Sequence, residues 1–286
     1  MLKTVIFRCE DVILNEEYLQ FKIYEKLWYY LRQDPAWTNF ETVLKLRESY
    51  VSEQRNIPAY PAIASRHLSE MNRIRFEQDV RQFLRKQSSF YLRTLPAMLA
   101  IIRNLKFYYK IVLIAREGTL YQKADRKYRF DRLFHFVLLE EKTSDIGSFG
   151  QYLQKIVQHM RSSEKETLLV SGYIYPDLVA AGQSGILTLQ ISFDPKTSGF
   201  QPQNYLEWQY YHSLRRIHEQ KIENQSGRIK FNASATRPSE VSRMIGDIER
   251  AGTQQPTSGQ SAAAKNETIW DLAREIFNTP GSEEVK

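Results

Sequence analysis

The sequence predicts an α/β fold, in which a parallel sheet is covered by helices on both faces. Three observations support this prediction. Short apolar runs rich in β-branched residues recur along the chain, helical patterns lie between most of them, and one long helical block interrupts the alternation after the first run. Strands that alternate with helices form βαβ units, in which the strands are parallel and the crossovers right-handed.

Five apolar runs have the length and composition of buried parallel strands. They cover residues 4–8, 110–115, 134–138, 167–171 and 186–191. Helical patterns accompany the later runs, at 94–106, 145–161 and 176–184. We therefore expect residues 1–14 and 94–223 to form one α/β core.

Residues 15–93 do not alternate between strand and helix, and they predict an all-helical insert. Pro35, Pro58 and Pro61 divide the block into shorter helices. Apolar residues recur at helical spacing near both of its ends: Leu19, Ile23, Leu27, Leu31, Phe76, Val80, Phe83 and Leu84.

The composition of the chain changes after the last apolar run. A helix is expected over 204–223, and from Asn224 onward Gly, Ser, Gln, Thr and Ala dominate. The aromatic and apolar residues of that helix fall at three-residue steps: Tyr205, Trp208, Tyr211 and Leu214. Because a polar, small-residue segment buries too little apolar surface to offset its chain entropy, 224–286 is predicted to be mostly disordered.

A short amphipathic helix is expected within this tail, at 268–278. Thr268 and Asp271 have the spacing of a capping box at its start. The residues expected to contact a protein partner are Ile269, Trp270, Leu272, Ile276 and Phe277. Since so short a helix is marginal alone in water, it needs a partner's groove or, as the alternative, its own domain.

Charge and cysteine content bound the class of protein. The net charge of +7 permits an acidic partner without requiring one. Cys9 is the single cysteine, which excludes an internal disulfide and fits a reducing compartment. Charged residues interrupt the apolar N-terminal stretch and every longer apolar stretch, so we expect neither a signal peptide nor a membrane span, and a cytoplasmic location.

The stretch from Thr4 to Leu14 carries the most information about function. An apolar strand, Val5 to Phe7, runs into Arg8, and two more apolar residues follow at Val12 and Ile13. This pattern resembles the opening motif of the haloacid dehalogenase-like (HAD) phosphatases, an apolar strand followed by Asp-x-Asp-Gly. The resemblance implies a Rossmann-like core, and it implies that the helical insert is a cap.

The residues that carry chemistry in this motif are replaced here. Arg8 stands where the family has its nucleophilic Asp, Glu10 stands at the acid/base position, and Asp11 replaces the Gly. A guanidinium is cationic at all accessible pH and has no lone pair with which to attack phosphorus.

Three further motifs match the family only in part. Ala115, at the end of the second core strand, replaces a phosphate-holding Ser or Thr, and Lys142 lies at about the place of the family's lysine. In the fourth motif Tyr173 replaces the first metal-binding Asp, whereas Asp177 keeps the second. The resemblance thus implies an enzyme's fold without a complete catalytic site, and loss of magnesium binding, with no other cofactor.

Two arrangements of Arg8 are considered. Arg8 is expected to occupy the vacated metal position and to pair with Glu10 and Asp177. In the alternative arrangement, its side chain points to solvent.

Separately, Arg8, Arg116 and Lys142 are candidates for an anion site that binds a phosphorylated ligand without cleaving it. The histidines lack metal-ligand spacing, and a reactive Cys9 thiol has no evident histidine partner.

The function predicted from these features is that of a non-catalytic HAD-like binding, scaffold or assembly factor. The first alternative is a diverged phosphate hydrolase that uses Glu10 as acid/base, or a phospho-ligand sensor. The second is a nucleic-acid-binding protein, because the basic stretches 73–85 and 123–132 are interleaved with aromatic residues. Those aromatic residues are Phe76, Phe83, Tyr128 and Phe130.

Overall fold

The computed structural model describes residues 1–10, 12–52, 59–115, 118–140, 145–197, 200–225 and 231–253. The strands are β1 (Thr4–Arg8), β2 (Leu14–Asn15), β3 (Arg93–Thr94), β4 (Lys110–Ala115), β5 (Phe136–Leu139), β6 (Thr167–Ser171), β7 (Leu187–Ile191) and β8 (Ala233–Ala235). The helices are α1 (Glu17–Leu31), α2 (Phe40–Ser52), α3 (Ala59–His67), α4 (Glu70–Lys86), α5 (Ser88–Tyr91), α6 (Pro96–Leu105), α7 (Gly118–Tyr128), α8 (Ile146–His159), α9 (Val179–Gln183), α10 (Tyr205–Gln225) and α11 (Pro238–Thr253).

A six-stranded parallel sheet forms the core, in the order β5-β4-β1-β6-β7-β8. The predicted α/β class and the five predicted strands are confirmed, with the third shifted to Phe136–Leu139. Strand order reverses at β1, because the chain continues to β4 on one side and later to β6 on the other. Ligand crevices of open α/β sheets lie at such reversal points, beyond the carboxyl ends of the strands.

Helices cover the sheet on both faces. One face packs Val5 and Phe7 against apolar residues of α6 and α11, such as Ile102 and Ile245. The opposite face packs Ile6 against α8 and α9. Because side chains alternate along a strand, Arg8 shares the face of Ile6 and points toward α8.

The helical insert is present and has a core of its own. Apolar residues of α1 to α4 pack there, including Leu27, Leu44, Ile63 and Phe76. The chain enters the helical insert through β2 and leaves it through β3, and these two strands form an antiparallel pair. We call α1 to α5 the cap.

Helix α10 was assigned to the core from the sequence, but its buried residues Tyr210 and Leu214 belong to the apolar cluster of the cap. Of the residues at three-residue steps, Tyr205 and Trp208 are 74% and 49% exposed, whereas Leu214 is buried. The helix turns Tyr210, Leu214 and Ile217 inward.

The prediction of disorder from residue 224 is wrong for residues 233–253. Strand β8 extends the parallel sheet beside β7, and α11 buries Val241, Ile245 and Ile248 against it. These apolar residues are spaced as i, i+4 and i+7, which is the signal of an amphipathic helix that the polar composition of the segment concealed. Helix α7 was likewise not predicted.

The terminal helix expected at 268–278 lies outside the described residues. Within the part of the chain that the structure describes, none of the helices combines the length and apolarity needed to cross a bilayer.

Candidate functional site

Arg8 ends β1 at the point where the strand order reverses. On one side, Arg8 is paired in register with Ile114 of β4. On the other side, the preceding residue, Phe7, is paired with Val170 of β6. The Arg8 side chain is 1% exposed. A long cationic side chain is almost never buried this completely unless it is paired, so its partners decide what the site is.

Two carboxylates hold the Arg8 guanidinium. Arg8 Nε donates to Asp177 Oδ2 at 2.7 Å, and Arg8 Nη2 donates to Asp177 Oδ1 at 2.8 Å. Arg8 Nη1 donates to Glu140 Oε2. Both carboxylates are as buried as the arginine, with Asp177 0% and Glu140 2% exposed at the side chain. The bidentate contact fixes the plane of the guanidinium as well as its position.

Each carboxylate is placed by the loop that follows a strand. Asp177 lies in the irregular turn after β6, where Ser171 Oγ donates to Asp177 Oδ2 at 2.8 Å. Glu140 directly follows β5, and its backbone N–H donates to the Ala115 carbonyl at 2.8 Å. The site is therefore assembled from the carboxyl ends of β1, β5 and β6, which the parallel sheet brings to one edge.

Two aromatic rings complete the surroundings of Arg8. The guanidinium carbon lies 5.1 Å from the ring centroid of Phe149 in α8 and 5.9 Å from that of Tyr173. These distances are in the range of cation–π attraction. Tyr173 thus contributes a ring face that suits a cation.

The electrostatics keep Arg8 charged despite its burial. Burial by itself lowers the pKa of Arg8, but the charge and hydrogen bonds of Asp177, with the charges of Glu10 and Glu140, outweigh it and raise that pKa above its ordinary value. Burial and the neighbouring charges of Glu10 and Glu16 raise the pKa of the Cys9 thiol well above its usual range. A nucleophilic thiolate at Cys9 is therefore disfavoured, as expected for a small buried residue.

Similar solved structures were found that cover most of this chain. A HAD-superfamily hydrolase of subfamily IA, variant 1, from Geobacter sulfurreducens is 11% identical, with a TM-score of 0.56 over 86% of this chain and 97% of that one. A haloacid dehalogenase-like family hydrolase from Streptococcus pneumoniae is also 11% identical, with a TM-score of 0.51 over 85% of this chain and 98% of that one. The chain has a HAD-like fold. No protein-family model matches the sequence, and no curated protein does.

The HAD-like fold brings together several of the residues singled out from the motifs. Arg8, Tyr173 and Asp177 are in direct contact, and the pairing of Arg8 with Asp177 is as expected. Glu10 is 6% exposed and acts on Arg8 through its charge. Ala115 is buried at the end of β4.

Two expectations about Arg8 need correction. The alternative that it points to solvent is wrong, because the side chain is buried. Glu10 was expected to be the second carboxylate that accepts a hydrogen bond from Arg8. In the structure that carboxylate is Glu140, which was not among the candidates. Its position directly after an apolar strand was the available signal, since β5 ends at the same edge of the HAD-like sheet as β1.

The proposed anion site is only partly within the described chain. Arg116, Lys142 and Asp11 lie outside the described residues. Arg8 itself directs Nε, Nη1 and Nη2 to carboxylates, so it does not offer these donors to a bound phosphate.

Arg8 engages the carboxylate oxygens of this arrangement that could otherwise hold a magnesium ion. Both Asp177 oxygens accept hydrogen bonds from Arg8, and Glu140 accepts a third. A divalent cation on the same oxygens would lie beside a buried permanent cation and would be repelled by it. Among the residues described, no group of three or more His, Cys, Asp or Glu side chains has a metal-binding arrangement.

Proposed function

We propose that this HAD-like protein is non-catalytic and acts as a binding or assembly factor. The observation that carries the proposal is the buried ion cluster of Arg8, Asp177 and Glu140 at the reversal point of the sheet. A crevice that would be used for ligands in other α/β folds is occupied here by one guanidinium that pairs with two buried carboxylates.

The chemistry supports the same proposal. By the motif resemblance, Arg8 stands at the position from which a carboxylate would attack phosphorus, and a guanidinium is not a nucleophile at any accessible pH. Tyr173 stands at a position where the resemblance implies a metal-binding Asp. Phosphoryl transfer depends on metal ions and positioning for most of its acceleration, so loss of both groups together removes the main sources of rate.

We infer that the Arg8 guanidinium replaces the magnesium ion. It supplies positive charge to the two carboxylates that would otherwise repel each other in a buried site. In this role Arg8 preserves the fold at the edge of the sheet without supporting catalysis, and magnesium binding is lost.

Hydrogen bonds join α10 to the cap. Arg216 of α10 donates two hydrogen bonds to Glu48 of α2, at 3.0 Å and 2.8 Å, and the Tyr210 hydroxyl donates to Glu17 of α1 at 2.8 Å. Helix α10 lies between β7 and β8 in the chain, so the apolar cluster of the cap includes a helix from the C-terminal part of the sequence.

The binding role itself is proposed to include the C-terminal segment. Ile269, Trp270, Leu272, Ile276 and Phe277 remain our candidates for contact with a protein partner, and a truncation that tests them is described in the Discussion. The runner-up function is a diverged phosphate hydrolase, because Glu10 remains buried close to the site.

An assay with a generic phosphate ester tests the non-catalytic proposal. We expect no hydrolysis above the rate of a protein-free blank, with or without Mg²⁺, and no difference between the wild type and Glu10→Gln. Magnesium-dependent hydrolysis that Glu10→Gln abolishes would contradict the proposal and establish the diverged hydrolase. An unrelated HAD phosphatase in the same assay controls for the substrate.

A further inference from the structure

Two basic segments that are far apart in sequence meet on the surface where α4 ends and α7 passes. One is the end of α4 with the residues up to β3, and the other is the second half of α7. We call the exposed residues at this junction the basic patch: Arg85, Lys86, Phe90, Arg93, Arg126 and Lys127.

Hydrogen bonds of α7 hold the two segments together. Lys123 Nζ donates to the Arg85 carbonyl at 2.7 Å and to Ser88 Oγ at 2.7 Å. One turn later, Lys127 Nζ and the Tyr128 hydroxyl approach the Leu92 carbonyl at 3.4 Å and 3.1 Å. The cations of both segments therefore share one surface, whose geometry is set by folded elements.

The charge of the basic patch is not neutralised by neighbouring acids. Within the described ranges, none of its Arg and Lys side chains forms an ion pair, although other surface arginines do, such as Arg81 with Glu77 at 3.3 Å and Arg129 with Asp131 at 3.5 Å. Residues 84–94 include three basic residues and no acidic one, and residues 123–128 include three basic residues and one acidic residue, Asp125. A concentration of one sign of charge raises the local concentration of a ligand of the opposite sign.

An aromatic ring projects from the middle of this charge. Phe90 is 71% exposed, and the Arg93 side chain donates to the Phe90 backbone carbonyl, so the cation lies close to the residue that carries the ring. Of the four rings that the sequence suggested for nucleic-acid stacking, Phe76, Phe83 and Phe130 are buried, and Tyr128 is half-buried with its hydroxyl on the Leu92 carbonyl. Phe90 was not among the sequence candidates.

We propose that the basic patch binds single-stranded nucleic acid, with its cations on the phosphodiester backbone and Phe90 stacked on a base. Single strands are bound in this way, because cations follow the backbone and every unpaired base offers a face to an aromatic ring. The exposed ring favours nucleic acid over a purely acidic surface, because every unpaired base offers a π-face whereas a carboxylate does not. This inference goes beyond the proposed function and does not depend on it, since a catalytically active chain could carry the same surface.

The test is fluorescence anisotropy of labelled single-stranded DNA and RNA of mixed sequence, titrated with the full chain. We expect binding at low salt that weakens roughly 50-fold between about 50 and 200 mM salt, as for about four phosphate contacts to a single strand. Lys86→Glu combined with Arg126→Glu should abolish binding. Lys155→Glu combined with Arg243→Glu is the matched control, because it changes the net charge equally at exposed positions on α8 and α11.

Phe90→Ala distinguishes stacking from charge alone. We expect it to weaken binding by on the order of tenfold while the melting temperature is unchanged, because the ring is exposed. No binding at low salt, or equal loss in the patch and control variants, would overturn the proposal. Equal affinity for anionic vesicles or an acidic peptide, with no effect of Phe90→Ala, would overturn the assignment to nucleic acid.

Discussion

Replacing Arg8 by Met is expected to destabilise the protein by about 3–5 kcal/mol, because it leaves Asp177 and Glu140 buried without their cation. Methionine keeps most of the volume of the side chain and none of its charge. For a chain of this size the loss corresponds to a fall in melting temperature of roughly 10 °C. Thermal and chemical unfolding, followed by circular dichroism, measure the effect.

Two further variants separate charge from packing in this prediction. Adding Asp177→Asn and Glu140→Gln to Arg8→Met should recover part of the lost stability, since the uncompensated charges are then removed. Arg81→Met is the matched surface control, because Arg81 pairs with Glu77 at 3.3 Å while remaining 78% exposed at the side chain. Exposed pairs contribute about 0–1 kcal/mol, so this control should melt close to the wild type. Similar melting temperatures for Arg8→Met and Arg81→Met would contradict the buried ion cluster.

Truncating the chain after residue 230 is expected to abolish cooperative folding, whereas truncating it after residue 253 should leave the melting temperature unchanged. The shorter chain lacks β8 and α11, and therefore loses Val241, Ile245 and Ile248 from the core. At about 1.5–3 kcal/mol for each buried aliphatic side chain, the loss of roughly 5–9 kcal/mol approaches the whole stability of a typical domain. Soluble expression and thermal unfolding of both truncations test this expectation.

The same truncations test the role proposed for the C-terminal segment. If Ile269 to Phe277 contact a partner, the chain ending at residue 253 should keep its stability and lose the partner in a pull-down. A lower melting temperature for that chain would show that the segment docks on its own domain. Cooperative unfolding of the chain ending at residue 230 would contradict the core position of α11.

Five of the six strands of the sheet could be predicted, because each of those five is a local signal. The run Lys110 to Ala115 is β-branched and continuous, and a parallel strand buried on both faces needs that composition. Arg8 could be placed at the edge of the sheet because it follows such a run directly, and its pairing with Asp177 followed from the motif resemblance.

The remaining features depend on contacts that are distant in sequence. Strand β8 is short and consists of Ala and Ser, so only its place beside β7 makes it a strand. Glu140 pairs with Arg8 across 132 positions of the chain, and no local pattern specifies that distance. The inward face of α10 is set by the cap helices it meets, which outweigh the preference of Trp208 and Tyr205 for burial.

Magnesium titration of the wild-type melting temperature tests the central claim most directly. If the Arg8 guanidinium has replaced the metal, Mg²⁺ at constant ionic strength should produce no shift, and Asp177→Asn should not change that result. A ligand that binds only the folded state at a hundred times its Kd adds about 2.7 kcal/mol, which a melting curve detects readily. A saturable rise in melting temperature with Mg²⁺ that Asp177→Asn removes would contradict the claim that this site has exchanged a metal ion for an arginine.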